Sequence, residues 1–245
     1  MADPSNTPAP LPTPRPTGAP PPDAVAIDDL ARWYDEPPSG HLTFSVMAEP
    51  VSLQASAALR KLVRDALAAK VAPVKYLYTE DLQIDIEWLV REELRYETDA
   101  SPDLDNVLKP MLDGLTGPAG LFIDDSQVQS ISCTWIDWTH PKSRLQFTIR
   151  CPMGGFIPKS EIVFLHFARA LCLPVPKVFL QLPDVLDHMA QRFDLAEQAR
   201  AKGGYLAAQS MLFAQRMLHR TRLRGFTVLE LADARIAAKK NASGP

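Results

Sequence analysis

Much that would place a chain in a functional class is scarce or missing in this sequence. Its 245 residues hold only three cysteines, Cys133, Cys151 and Cys172, at no CxxC spacing. An odd, scattered set argues against a disulfide framework and for a reducing compartment. The five histidines, His41, His140, His166, His188 and His219, show no HxH or HExxH spacing, which argues against a zinc centre. There is no Gly-rich phosphate loop, so no nucleotide cofactor is expected. No charged stretch followed by an apolar one opens the chain, so no secretory signal is read there. No uncharged apolar run reaches the roughly 18 residues a membrane span needs. These absences point to a cytoplasmic protein with no membrane partner.

Positive charge is not in excess either. Lys and Arg number 26 against 29 Asp and Glu, a net charge of −3, so the chain as a whole is not a basic nucleic-acid binder. The charge is unevenly placed. Residues 1–40 carry 2 Lys and Arg against 6 Asp and Glu, residues 41–150 carry 11 against 16, and residues 151–245 carry 13 against 7. An acidic middle with a basic end points to a polyanionic partner.

What is present is an apolar content of 46% with 22% charged residues, enough for a sizeable core in one or two domains. Residues 1–40 read as a disordered, proline-rich N-terminal segment, in which Pro8, Pro10, Pro12, Pro14 and Pro16 alternate with other residues. Residues 41–152 read as an α/β domain, a small mixed sheet with packed helices. Leu42–Met47 and Leu82–Trp88 alternate as strands, and residues 53–70 have helical spacing. Residues 91–102 read as a polar loop. Residues 106–115 form a short amphipathic helix that should start near Asp105 or Asn106, which keeps Pro110 close to its first turn. Gln127–Trp138 and Arg144–Arg150 read as two strands, on which Trp135, Trp138 and Phe147 are expected in a core or an interface. Residues 153–245 read as a helical C-terminal region, with helices near 160–172, 183–201, 204–221 and 227–240.

The chemistry concentrates between residues 103 and 125. Asp103 and Asp105 lie two apart, so in extended backbone both carboxylates face the same way. They stand at a helix N-terminus, whose dipole favours anions. Lys109 is about one turn further on, and a second acidic pair, Asp124-Asp125, opens the next strand. Carboxylates crowded together repel unless a cation lies between them, and hard divalent cations such as Mg2+ take oxygen ligands together with substrate phosphates. The segment reads as a metal site for phosphate chemistry, with Asp125 completing a three-carboxylate set and Lys109 in reach of a phosphoryl group. The plainer readings are helix capping for Asp103 and Asp105, a solvated turn for Asp124-Asp125, and a solvent-facing Asp113. Asp184, Asp187 and His188 share a helix and read as surface capping. Ser126 has no histidine nearby to activate it as a nucleophile.

The run Asp103-Leu104-Asp105-Asn106, then Lys109, Asp113-Gly114-Leu115 and Asp124-Asp125-Ser126-Gln127-Val128 resembles the RusA family of Holliday junction resolvases (crossover junction endodeoxyribonucleases). The likeness covers about residues 41–150 in element order. It implies a homodimer that hydrolyses DNA with Mg2+ and places paired nicks in a four-way junction, in recombination and repair. By that resemblance the catalytic residues are Asp103, Asp105, Lys109 and Asp125, the metal ligands are Asp103, Asp105 and Asp125, and Asp124 and Asp113 are supporting positions. An arginine-rich loop often precedes the first aspartate in that family, whereas this chain has the acidic stretch Glu92–Asp99. The helical C-terminal region and the proline-rich head lie outside the compact family pattern.

Arg216, Arg220, Arg222 and Arg224 are candidates to supply the missing DNA contacts, with Arg216 and Arg220 on one helix face at i, i+4 spacing. The plainer reading is cations near a helix C-terminus. The alternative function is a non-catalytic module on the same fold that binds branched DNA or a protein.

Overall fold

The alternation at Leu82–Val90 becomes the strand around which the first sheet is built. In the computed structural model, residues 25–26, 41–49, 51–97, 104–152, 154–209, 213 and 215–242 are described; for Val25, Ala26 and Asp105 only the backbone is. In chain order the first elements are β1 (Val25–Ala26), β2 (His41–Met47), α1 (Ala57–Val71), β3 (Tyr76–Tyr78), β4 (Leu82–Val90), α2 (Glu92–Tyr96), α3 (Leu104–Leu115), β5 (Val128–Asp137) and β6 (Arg144–Arg150). They give a five-stranded mixed sheet in the order β1-β2-β6-β4-β5. β4 and β6 pair antiparallel, and β4 and β5 pair parallel. A parallel pair needs a long crossover, and α3 lies within it. That crossover delivers the end of α3 and the start of β5 to the same end of the sheet. The proline-rich segment otherwise lies outside the described residues; Val25 and Ala26 pair with Leu42 and Thr43 of β2.

Leu82, Ile84, Ile86 and Trp88 of β4 are buried, as are Leu145, Phe147 and Ile149 of β6. Phe147 stacks on Phe44 at 4.9 Å, and Trp135 tilts against Trp88 at 4.2 Å. α1 is capped by Ser56, which accepts a hydrogen bond from the Leu59 N–H, and it buries Val63, Leu67 and Val71. α3 packs on α1 through Gly114, where a Cβ would lie 2.9 Å from Leu67 Cβ and 3.1 Å from the Arg64 carbonyl oxygen. The expected loop at 91–102 contains the short helix α2, whose acidic first turn, Glu92 and Glu93, suits the positive end of the helix.

Of the four helices expected in the C-terminal region, those near 183–201 and 227–240 are present, together with strands that the sequence pattern does not announce. The elements are β7 (Phe156–Pro158), β8 (Ile162–Ala168), β9 (Leu171–Pro176), α4 (Pro183–Gln209, broken at Gly204), β10 (Leu218–His219), β11 (Val228–Glu230) and α5 (Leu231–Ala242). The helix expected at 160–172 is instead the β8–β9 hairpin. Ile162-Val163-Phe164-Leu165 is a continuous apolar run, and such a run fits a strand buried on both faces as well as a buried helix. Residues 215–219 are not helical and Arg220–Arg222 is only a 3-10 turn, so Arg216 and Arg220 do not share a helix face. Gly204, at φ 76°, breaks the helix before them.

β10-β9-β8-β11 form a second, four-stranded sheet. One face buries Val163, Leu165, Leu173 and Val175 against Leu186 and Ala190 of α4 and Ala234 and Ala238 of α5. The other face buries Ile162, Phe164 and Cys172 with Leu218 and Leu223, and Leu77 and Ile123 of the first unit join this cluster. β7 pairs antiparallel with β3, tying the chain after Pro152 back to the first unit. Among the described residues no helix is long and apolar enough to cross a membrane.

Candidate active site

α3 presents the site from an amphipathic frame. Val107, Met111 and Leu115, spaced four apart, are buried, which leaves Lys109 and Asp113 on the exposed face. The helix starts at Leu104, so Asp105 lies in its first turn and not in extended backbone. Pro110 is therefore past the first turn, where it has no N–H to offer the Asn106 carbonyl. That carbonyl instead accepts from the Leu53 N–H at 2.7 Å, so the loop before α1 makes up the lost helical bond.

The second acidic pair sits in a tight turn of defined geometry. Asp125–Gln127 is a 3-10 turn with Asp124 as N-cap: the Asp124 carboxylate accepts from the Ser126 N–H at 3.0 Å. Gln127 is fully buried and uses its whole amide. Its Oε1 accepts from the Ile123 and Asp124 N–H groups at 2.7 and 3.0 Å, and its Nε2 donates to the Tyr78 and Glu80 carbonyls at 3.0 Å each. Gln127 is thus the positioning residue of the turn, a role that sequence reasoning missed. The signal that could have found it is the Asp-x-x-Gln capping box.

With both elements fixed, Lys109 bridges them. Its Nζ donates to Asp125 Oδ2 at 2.6 Å and pairs with Asp113 Oδ1 at 2.8 Å. Partial burial works against the Lys109 charge, but the bonds to Asp113 and Asp125 outweigh it and hold its pKa above the usual lysine value. Burial likewise works against the Asp125 charge, and Lys109, followed by Arg222, outweighs it, so the carboxyl lies below its ordinary range. Arg222 arrives from the C-terminal region: its Nη1 lies 3.1 Å from Asp125 Oδ1 and 3.4 Å from Asp124 Oδ1.

The structure therefore brings together Lys109, Asp113, Asp124, Asp125 and Arg222. Asp103 lies outside the described residues, and of Asp105 only the backbone is described. The carboxylates present are hard oxygen donors of the kind Mg2+ takes, and Mg2+ sites need only one or two protein carboxylates beside waters and phosphates. Among the described residues no three His, Cys, Asp or Glu side chains form a group that could hold a metal ion.

Of the other arginines in the basic cluster, Arg216 pairs with Asp81, and Arg220 pairs with Glu230 at 3.2 Å. Arg224 is exposed. Three cations of α1 also lie near the site. Arg60, Lys61 and Arg64 of α1 line a cleft of about 390 Å³ whose other wall includes Pro110 and Asp113 of α3. The acidic stretch ahead of α3 is partly compensated: Arg91 pairs with Glu93 at 2.6 Å, and the Arg95 guanidinium lies 4.9 Å from the Trp135 ring.

Residues 47–150 match the family model of endodeoxyribonuclease RusA. No curated protein matches the chain.

Proposed function

We propose that this chain, which carries a RusA-family domain over residues 47–150, is a Mg2+-dependent, structure-selective endodeoxyribonuclease that resolves four-way DNA junctions in recombination and repair. The observation that carries the reading is Lys109 clasped between Asp113 and Asp125 at the meeting point of α3 and β5. Asp103, Asp105 and Asp125 are the proposed ligands of Mg2+, which when bound supplies a Lewis acid for the scissile phosphate and a more acidic water.

The chain's own residues do the rest. Lys109, kept charged by its two carboxylate partners, stabilises negative charge that develops on the phosphoryl oxygens. Asp113 holds the Lys109 ammonium on the site face of α3. Asp124 and Gln127 fix the turn that aims Asp125. Cations beyond residue 200, Arg216, Arg220, Arg222 and Arg224, together with those of the α1 cleft, supply sequence-independent contacts to the DNA backbone.

The protein acts in the cytoplasm as a homodimer, so that two sites make paired nicks. In support, β5 is an edge strand of the first sheet, and Ile131 on it is exposed. An unpaired strand edge is a ready template for pairing with a second chain.

A second reading is favoured by the acidic α2, whose Glu92 and Glu93 would repel DNA. In that reading the fold is a non-catalytic module for branched DNA or a protein. Cleavage of a synthetic four-way junction in Mg2+, in EDTA and by Asp103→Asn separates the two. Cutting that needs both Mg2+ and Asp103 is expected. Cutting that survives EDTA and the substitution would sink the proposed site, and tight binding of Mg2+-loaded protein without cutting would favour the module.

A further inference from the structure

The four arginines of the basic cluster lie close in sequence, and three of them have different partners in the fold. Arg216 goes to Asp81 and Arg220 to Glu230, each a partner outside the site. Arg222 reaches the acidic turn, touching Asp124 and Asp125.

Its place there is built in. Arg222 ends a 3-10 turn, Arg220–Arg222, whose preceding His219 side chain accepts from the Thr221 N–H at 3.3 Å. The next residue, Leu223, is buried in the cluster that also holds Ile123, the residue just before Asp124. Phe226 then packs edge-on against Phe164 at 5.0 Å. At Gly225, φ 82°, an added Cβ would lie 3.1 Å from Pro118 Cγ, so the turn after α3 passes close beside it. The backbone around Arg222 and the backbone around Asp125 are therefore anchored in one apolar cluster. The placement belongs to the fold rather than to a freely moving tail.

The contact itself is loose. A single nitrogen serves two carboxylates at 3.1 and 3.4 Å, and the side chain is 52% exposed. A guanidinium is built to engage two oxygens in parallel, and a phosphodiester offers that geometry. Asp125 meanwhile has a cation on each oxygen, Lys109 on Oδ2 and Arg222 on Oδ1. Lys109 keeps a second partner in Asp113 if it leaves Asp125. Arg222 has no such second partner among the described residues beyond the acidic pair, so it is the better placed of the two to turn to an incoming anion.

We propose that Arg222 is a DNA-phosphate-binding residue that the C-terminal region lends to the nuclease site, and that it exchanges Asp125 for a phosphodiester oxygen when substrate and cation bind. The inference rests on the nuclease reading above and adds to it the place of Arg222 within the site and its exchange at Asp125. The C-terminal sheet then has a role in the reaction, because it holds this side chain beside the acidic turn of the first domain.

The test uses the full chain in three forms: native, Arg222→Gln and Arg222→Lys. Binding of a labelled four-way junction is followed by fluorescence anisotropy in Ca2+, from about 50 to 200 mM salt, and Mg2+ binding without DNA is followed by calorimetry. Arg222→Gln should weaken junction binding roughly three- to tenfold and make the log–log salt dependence shallower by about 1, the contribution of one phosphate contact. Arg222→Lys should keep the salt slope while losing part of the affinity, because it keeps the charge and not the fork. Mg2+ should bind Arg222→Gln several-fold more tightly, since a competing cation has left Asp125. A salt slope in Arg222→Gln equal to the native one overturns the phosphate contact. Unchanged Mg2+ affinity overturns the exchange at Asp125. A native chain that binds neither Mg2+ nor the junction overturns the nuclease reading itself, and this inference with it.

Discussion

The two larger sheets among the described residues bury their strands in different ways. In the first, β6 alternates buried Leu145, Phe147 and Ile149 with part-exposed neighbours, and β4 places Gln83, Asp85 and Glu87 between buried residues. In the second, Ile162 to Leu165 of β8 are buried without interruption. The reason is what covers each face. α4 and α5 lie on one side of the second sheet, and Leu77 and Ile123 of the first unit close the other. A sheet covered on both sides in this way is part of the body that shapes the site, with its edge cluster one residue from Asp124. The C-terminal region is therefore a structural wall of the candidate active site as well as a set of added helices.

The largest effect that would break this contrast between the sheets is expected for Phe164→Ala. The ring is fully buried in the cluster shared with Ile123, and its loss should cost about 3–5 kcal/mol. Calorimetry should show one transition moved down as a whole, together with weaker junction cleavage. Two transitions, with only the upper or lower one displaced, would make the C-terminal sheet an independent appendage. Next is Gln127→Ala, which removes four hydrogen bonds around the acidic turn and leaves buried backbone groups unpaired, at about 2–3 kcal/mol. Urea unfolding should show the loss, and cleavage should fall more than stability predicts because Asp125 loses its aim. Gly114→Leu should cost about 1–3 kcal/mol by forcing α3 off α1, which also displaces Lys109. A variant as stable as the native chain would show that the helices do not need that close approach.

Smaller effects test charge. Replacing Arg60 and Arg64 together by Gln should make the salt dependence of junction binding shallower by about 2, read by anisotropy, if both line the path of a DNA strand. The smallest effect is a pH dependence. The folded pKa of Asp125 lies below its ordinary value, so its contribution to stability is complete above the ordinary carboxylate range and is lost as pH falls through that range to the folded pKa. Native protein should therefore lose stability in acid more steeply than Asp125→Asn. Equal slopes in the two proteins would show that the Lys109–Asp125 pair adds nothing to the fold.

The first unit was the more legible because its signals are local. Alternation at Leu82–Trp88, helical spacing at Leu59–Leu67 and the acidic pairs around α3 each depend on residues a few positions apart. The helix expected at 160–172 failed because a continuous apolar run does not say which period it follows; only the layers packed on both faces decide that it is a strand. The helix-face pairing of Arg216 and Arg220 failed because α4 is described only to Gln209 and Arg216 lies in irregular backbone just ahead of β10. That Arg222 meets Asp125, 97 positions away, is set by the packing of Leu223 with Ile123, and no local pattern carries it. Asp103 lies outside the described residues, so the full carboxylate set stands as proposed from the sequence and its family resemblance.

Everything proposed for the site turns on Asp125, aimed by its turn and held by Lys109, as part of a Mg2+-dependent junction nuclease. The most direct test compares cutting of a four-way junction in Mg2+ by native protein and by Asp125→Asn, with junction binding measured alongside. We expect Mg2+-dependent cutting by the native chain and a loss of at least about a hundredfold in Asp125→Asn with binding retained. Asp125→Asn that cuts at the native rate, or native protein that binds the junction and does not cut it, would contradict this assignment.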